Sequence, residues 1–460
     1  MGKQDNFSTF RHLQEKYPTF TYEACRSDYT GDALVLEFSF HISDKIFFNP
    51  KVRIPYNEKI FRTFESLSSE ILGNLVFHAG LIEMISYWKA ACPAHVIIKP
   101  NYLDDEQLKF WKRTFYNGLG EFFFMNSIDI DEENFMKIEI PGNKPVKRFE
   151  YNAPGRIVPV GGGKDSAVTM GLLNRENYDW LPFAINPTLA TRNVIAASGR
   201  KEDEMIVFYR EIDPALLRLN EQGFLNGHTP FSALLAFYSL LAAYLAGRGE
   251  IILSNESSAN EPTVPGTNIN HQYSKTYGFE RDFREYAGTY ISPGFNYFSL
   301  LRPLPELQIA RLFAGFPEYF KSFRSCNAGS KTGTWCGKCP KCLFTYIILS
   351  PFLVPSTLVD IFGKNLLDER ELTGYFDELT GYVEIKPFEC IGTVEEVNAA
   401  LFASCEIYDK TELPYLLKLF MDRDQDHASV RLSAGQLLTR LDDAHFVPEE
   451  YLKMIKGAVL

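Results

Sequence analysis

The rhythm of apolar positions changes along this chain, and each change predicts a different kind of element. From Ala33 to Phe40 and from Lys45 to Ile54, β-rich runs flank a short polar turn and predict two strands paired as a hairpin. Phe61 to Ala91 then carries Leu72, Leu75, Leu81 and Met84 at helical spacing, and Leu108 to Phe122 does the same behind the acidic start Asp104-Asp105-Glu106. His95 to Ile98, between them, reads as a strand. The segment 1–152 is therefore expected to form its own α+β layer. His78 falls on the apolar face of its helix, which suits a packed core histidine better than a ligand.

From residue 153 the pattern alternates. Strands are expected over Arg156 to Val160, Trp180 to Ile185, Met205 to Tyr209 and Ile251 to Ser254. Helices are expected over Ala167 to Asn174, near Arg192 to Gly199, and over Pro230 to Ala246. That order predicts an α/β, doubly wound parallel sheet, whose ligands sit beyond the carboxyl ends of the strands. Four polar segments fall at that edge: the glycines after the first strand, Asn186, Asn226-Gly-His-Thr229, and Asn255 to Asn260. Next come Asn268 to Lys275, a polar run with His271, Tyr273 and Lys275, and Phe298 to Glu306, a strand and helix start carrying Arg302. Arg302 reads either as a clamp for an anion or as a surface arginine in a plain ion pair. The expected units are 1–152, a nucleotide-binding unit 153–350 and a mainly helical 351–460.

Composition narrows the class. Hydrophobic residues make up 45% of the 460 and charged residues 23%, enough for sizeable cores in more than one unit. A net charge of −11 argues against duplex nucleic acid as a ligand. No stretch reads as a run of about 20 apolar residues, and Met1 to Phe10 is polar, so the expectation is a cytoplasmic protein with no membrane span.

The chemistry concentrates in two places. In Val158-Pro-Val-Gly-Gly-Gly-Lys-Asp-Ser166, a strand turns through Gly161, Gly162 and Gly163 into a helix, pointing free N–H groups and the positive end of the helix dipole at one spot, as a pyrophosphate requires. The spacing is not that of a Walker loop, because Lys164 is followed by Asp165. The second place is Cys326 with Cys336, Cys339 and Cys342, two overlapping Cys-x-x-Cys knuckles sharing Cys339. Four thiolates suit a closed tetrahedral zinc site that staples a loop, with free thiols and an iron–sulfur cluster as alternatives. Cys25, Cys92 and Cys405 read as buried and inert.

The Gly-rich loop resembles the Ser-Gly-Gly-x-Asp-Ser loop of the PP-loop ATP pyrophosphatases, with Gly161 where that family usually has its first serine. With the cysteine cluster it resembles 7-cyano-7-deazaguanine synthase. A closer resemblance is to the family of UDP-N-acetyl-α-D-muramoyl-L-alanyl-L-glutamate epimerases, carried by Val158 to Ser166, Asn226 to Pro230, Ser254-Asn-Glu256, Asn270 to Lys275, Tyr297 to Leu304, Trp335 to Cys342 and Lys386-Pro-Phe-Glu-Cys390. The resemblance implies ATP-consuming inversion of the terminal L-Glu of the small-molecule substrate UDP-MurNAc-L-Ala-L-Glu through an acyl adenylate, for peptidoglycan synthesis. It implies Gly161 to Gly163 and Ser166 on the pyrophosphate, Lys164 compensating phosphate charge and Asp165 on Mg2+. The base stays open among His271, Lys275, Glu256 and Cys390. Two rivals stand beside this reading: a PP-loop ligase or thiolation enzyme, and a non-catalytic nucleotide-binding module.

Overall fold

The computed structural model describes residues 3–61, 64, 67–408, 412–423 and 427–459. Its strands are β1 Thr19–Tyr29, β2 Ala33–Ile42, β3 Ile46–Phe48, β4 Lys51–Pro55, β5 His95–Ile98, β6 Lys137–Glu139, β7 Arg156–Pro159, β8 Trp180–Ile185, β9 Ile206–Glu211, β10 Glu250–Leu253 and β11 Asn296–Ser299. They form one mixed sheet in the order β11-β10-β7-β8-β9-β4-β2-β1-β5-β6, with β3 paired to β2.

Strands β11, β10, β7, β8 and β9 are parallel throughout. The chain builds β8 and β9 on one side of β7 and then crosses to build β10 and β11 on the other. The order therefore reverses between β7 and β10, and the loops leaving those two strands diverge to open a crevice. Alternating side chains face two cores. Ile157, Phe183, Ile251 and Tyr297 face a core shared with the helices Ser69–Trp88 and Phe231–Ala246 and with the N-terminal strands. Val158, Ile252 and Phe298 face the helices Lys164–Arg175, Glu306–Ala314 and Pro340–Leu349, over which the helical C-terminal region packs. The last helix, Glu449–Val459, returns to the sheet, where the Tyr451 hydroxyl donates to Glu250 Oε2 at 2.6 Å.

The sheet crosses residue 152. Strand β4 pairs antiparallel with β9 through Lys51↔Glu211, Val52↔Arg210 and Arg53↔Tyr209, so the N-terminal strands extend the parallel sheet instead of forming a separate layer. Arg210, on β9, makes a forked contact with Glu83 of the Ser69–Trp88 helix at 2.6 and 2.7 Å, and Glu83 is fully buried.

The expected hairpin is present, but its second strand is two pieces, β3 and β4, both antiparallel to β2. Pro50 lies between them and has no N–H for the ladder. The sequence reading missed β1, paired with β2 from Phe20↔Ile42 to Tyr29↔Leu34, because its outer half is polar. The helix expected from Phe61 begins at Ser69, where the Ser68 side chain accepts from Ile71 N–H. At 20 residues and mean hydropathy 1.2, that helix is long and apolar enough to cross a membrane, which corrects the expectation that no stretch is; 89% of its most apolar window is buried inside the protein. His78, in its middle, is a core histidine: its ring nitrogens meet Asn74 O and Tyr286 Oη, both at 2.9 Å, and burial lowers it to about 4. Cys92 and Cys405 are buried, but Cys25 is only partly so.

Candidate active site

Beyond the carboxyl end of β7 the Gly-rich loop runs straight into the Lys164–Arg175 helix, with Gly163 as its N-cap and no side chain capping the first turn. The free first-turn N–H groups therefore face the crevice. Gly162 has φ +94°, and a Cβ there would stand 2.8 Å from Thr191 N, so only glycine fits. At Gly161 a Cβ would meet nothing within 4 Å; the backbone is open on that side, as close approach of a phosphate requires. Ser166 turns its hydroxyl back to Gly163 O at 3.0 Å and is buried. Two buried hydroxyl oxygens on the loop after β10, Ser254 Oγ and Ser258 Oγ, have no partner among the described residues, which adds unspent hydrogen-bonding capacity to the same edge.

Lys164 does not reach into solvent. Its ammonium is buried between Asp165 and Glu306 Oε1, the latter at 2.6 Å. Burial disfavours its charge, but the two carboxylates more than offset this and hold it raised above the ordinary lysine value. Glu306, wholly buried and sharing that cation, is pushed up to about 8. Asp165 is half-buried; burial opposes its charge, yet Lys164, Lys275 and Lys341 together hold it below the usual carboxylate range.

These same lysines tie the loop to the other predicted residues. Lys275 faces Cys390, Glu256 and Asp165, which hold it raised, hence an ammonium, against the opposing effect of burial. Cys390 is half-buried beside these groups. Burial alone would push its thiol up, but Lys275, Lys341 and a hydrogen bond from His271 bring it well below its ordinary value. A thiol in such a cationic setting is a thiolate. His271 is raised to about 9: burial opposes its charge, but hydrogen bonds to Cys390 and Glu121 dominate. Glu256, 5% exposed, is shifted the other way, raised by burial despite Lys275. Thus Asp165, Glu256, His271, Lys275 and Cys390, distant in sequence, are linked through their charges and hydrogen bonds into one cluster.

Arg302 does make an ion pair, with Glu280, but inside the protein and not at its surface. It is fully buried and donates to Glu256 O at 2.6 Å, to Lys275 O, and to Glu280 Oε2 at 3.0 Å, so it fixes the backbones of two cleft residues from behind.

The four cysteines also converge. Their sulfur atoms lie within 4.8 Å of one another, with Cys336–Cys342 and Cys339–Cys342 at 3.5 Å. A disulfide needs about 2.05 Å, whereas sulfurs on a tetrahedral ion with bonds near 2.3 Å stand about 3.8 Å apart; the cluster fits a four-sulfur metal site. Its position matters to the cleft. Just before Cys326, Arg324 N–H donates to Gly162 O at 2.8 Å. Between Cys339 and Cys342, at the start of the Pro340–Leu349 helix, Lys341 reaches Cys390 O.

Sequence reasoning missed Lys341, Glu306 and Glu121. Lys341 was hidden inside the cysteine motif and Glu306 at the end of a strand motif, both within quoted segments. Glu121 sits in an aromatic helix, Gly120–Met125, with no signal of its own.

Two family models match the chain. Residues 11–300 match the MurL N-terminal domain and residues 321–432 the MurL C-terminal domain. The chain is 36% identical over 335 residues to a UDP-N-acetyl-alpha-D-muramoyl-L-alanyl-L-glutamate epimerase of Xanthomonas oryzae pv. oryzae, covering 70% of this chain and 72% of that one. It is 37% identical over 343 residues to the protein of that name from Salinispora tropica, covering 72% and 73%. With the Micromonospora sp. relative of the same name it is 33% identical over 391 residues, covering 84% and 86%. A chain that these two models cover over more than half its length, with the glycine loop and the four cysteines inside them, belongs to the MurL family of epimerases.

Proposed function

We propose that the protein is an isomerase that inverts the terminal L-Glu of UDP-MurNAc-L-Ala-L-Glu to D-Glu, consuming ATP and releasing AMP and diphosphate, on a PP-loop type of nucleotide fold. The observation that carries this reading is the shared cleft: the Gly-rich loop and Asp165, which suit a nucleotide, are joined through Lys275 to Cys390, which suits proton abstraction.

The α-proton of a free carboxylate is hard to remove, because the new charge would adjoin an existing one. Adenylation, with diphosphate leaving, removes that charge and turns the carboxyl into an electron sink, and after inversion water cleaves the acyl–phosphate bond to free AMP and the carboxylate. The loop N–H groups and Ser166 bind phosphate oxygens. Lys164, committed to Asp165 and Glu306, orients Asp165, and the cationic lining falls to Lys275 and Lys341. Asp165 would hold Mg2+, which when bound shields phosphate charge. Cys390 takes the α-proton as thiolate. Glu256, whose environment pushes it the opposite way, is the acid that returns a proton on the other face, since two groups driven apart in pKa mark a base and an acid. Lys275, held as ammonium, supplies positive charge beside the base. The cysteine cluster would hold a structural zinc ion with no open position for chemistry. A nucleotide-linked substrate and unpaired thiols both suit the cytoplasm.

The test is incubation with ATP, magnesium and UDP-MurNAc-L-Ala-L-Glu in heavy water. We expect D-Glu carrying deuterium at its α-carbon, with AMP and diphosphate, and no exchange without ATP. Exchange that proceeds equally well without ATP, or a product heavier by a nitrogen or sulfur, overturns the reading.

A further inference from the structure

Next to Cys390 the cleft is walled by a cluster drawn partly from the N-terminal half of the chain. Glu121, in the first turn of the Gly120–Met125 helix, is in direct hydrogen-bond contact through Oε2 with His271 Nδ1, and the same oxygen stands 3.4 Å from His228 Nδ1. The two imidazole rings lie 4.6 Å apart. All three side chains are half-buried, and the backbone segments that carry them are held in place. His271 N–H donates to Thr263 Oγ1 at 3.0 Å. The loop bearing His228 is held by Asn126 Nδ2 to Asn226 O at 3.2 Å and by Lys89 to Gly227 O. Phe124, from the helix that carries Glu121, packs on Phe388, two residues before Cys390, with ring centroids 5.6 Å apart.

We propose that Glu121 is a positioning residue of this site: its Oε2 fixes the His271 ring so that Nε2 faces Cys390, and His228 braces the same oxygen from the other side. An imidazole whose Nδ1–H is taken by a carboxylate presents its second nitrogen in one tautomer and one orientation, and is more readily kept protonated. Cys390, His271 and Glu121 then form a thiolate, an imidazolium and its orienting carboxylate in a row. The groups facing His271 are Glu121, His228, Cys390 and Glu389. Of the two histidines, His228 is the one kept neutral, lowered to about 4 by burial and then by the His271 charge. The same three side chains have the donor types of a divalent-cation site. The contact between Nδ1 and Oε2, however, is that of a hydrogen bond between the ring and the carboxylate. This inference rests on the epimerase reading for its catalytic consequence, while its geometry can be tested without substrate.

The experiment is histidine ring NMR across pH on the full chain, with His228→Gln used to assign the two resonances, alongside iodoacetamide labelling of Cys390 with Cys390→Ala as blank. In Glu121→Gln we expect the His271 midpoint to fall by about one pH unit or more, Cys390 labelling at neutral pH to slow, and kcat to drop about tenfold or more with KM little changed. Glu121→Asp should recover part of each, and it stands in if the glutamine variant fails to fold. A His271 midpoint and labelling rate unchanged in both variants overturn the proposal, as does a chelator-removable ion lost on changing Glu121. Shifted titrations in a protein without epimerase activity would leave the geometry standing and remove the reaction assigned to it.

Discussion

Cys390 and His271 carry charges that neither would carry on an open surface, because each is paid back by the other and by Lys275, Lys341 and Glu121. The consequence for stability has a definite sign. His271 is raised from 6.5 to about 9, so its favourable contribution is complete below the unfolded value and disappears as pH rises through the folded one. The melting temperature of wild type should therefore exceed that of His271→Gln most at about pH 6, and the gap should close by about pH 10; a gap that widens with pH contradicts the charge pairing. Gly161 and Gly162 make a second contrast. Gly162→Ala forces a side chain into a positive φ and against the backbone at Ala190 and Thr191, at a cost of about 1–3 kcal/mol. Gly161→Ser meets open space and should leave stability within about 0.5 kcal/mol while diphosphate release continues. Equal destabilisation by both, read by thermal melts, would mean that the loop is not shaped as described.

The cysteine loop and the Gly-rich loop act as one assembly. Arg324, leading into Cys326, bonds the glycine turn, while Lys341, enclosed by Cys339 and Cys342, bonds the segment holding Cys390. Trp335, just before the knuckle, packs between Phe323 and Phe362 at centroid distances of 5.2 and 4.6 Å and ties the loop to the C-terminal helices. A metal here would stabilise the fold and, through these two bonds, the cleft. Elemental analysis should find about one zinc per chain. Cys339→Ser should lower both the melting temperature and turnover, and a fully stable, active metal-free protein would falsify the staple. Asp165→Asn belongs to the same assembly: it should keep the fold yet lose diphosphate release, because Lys164 would retain Glu306 as its partner while the carboxylate offered to magnesium would be gone.

At the scale of the molecule, one sheet and two cores bind all parts of the chain together. The β4–β9 pairing and the Glu83–Arg210 fork join the N-terminal half to the parallel strands, and Tyr451 closes the C-terminal helices back onto Glu250. Removing one partner of a buried, forked ion pair costs about 3–5 kcal/mol. Glu83→Gln should therefore shift a single unfolding transition, with probes in the N-terminal half and near Trp335 moving together. Two separated transitions would show that the continuous sheet does not make the halves cooperative.

Local order was legible in the sequence because its causes are local. The strand–glycine–helix turn at residues 158–166, the alternation that follows it, the cysteine spacing and the core character of His78 each depend on neighbours a few positions away. Strand β1 escaped because half of it is polar, and the Ser69–Trp88 helix did not read as a run of about 20 apolar residues because Asn74, His78 and Glu83 interrupt it. Which polar residues meet is a long-range matter. The sequence alone left His271, Lys275, Glu256 and Cys390 as interchangeable candidates and had no means of finding Glu121. Only the folding of distant loops onto one sheet edge surrounds Cys390 with cations, holds Lys275 charged, buries Glu256, and encloses Lys164 between two carboxylates. Charge states are set by what lies within a few ångströms in space, and that neighbourhood is assembled from both halves of the chain.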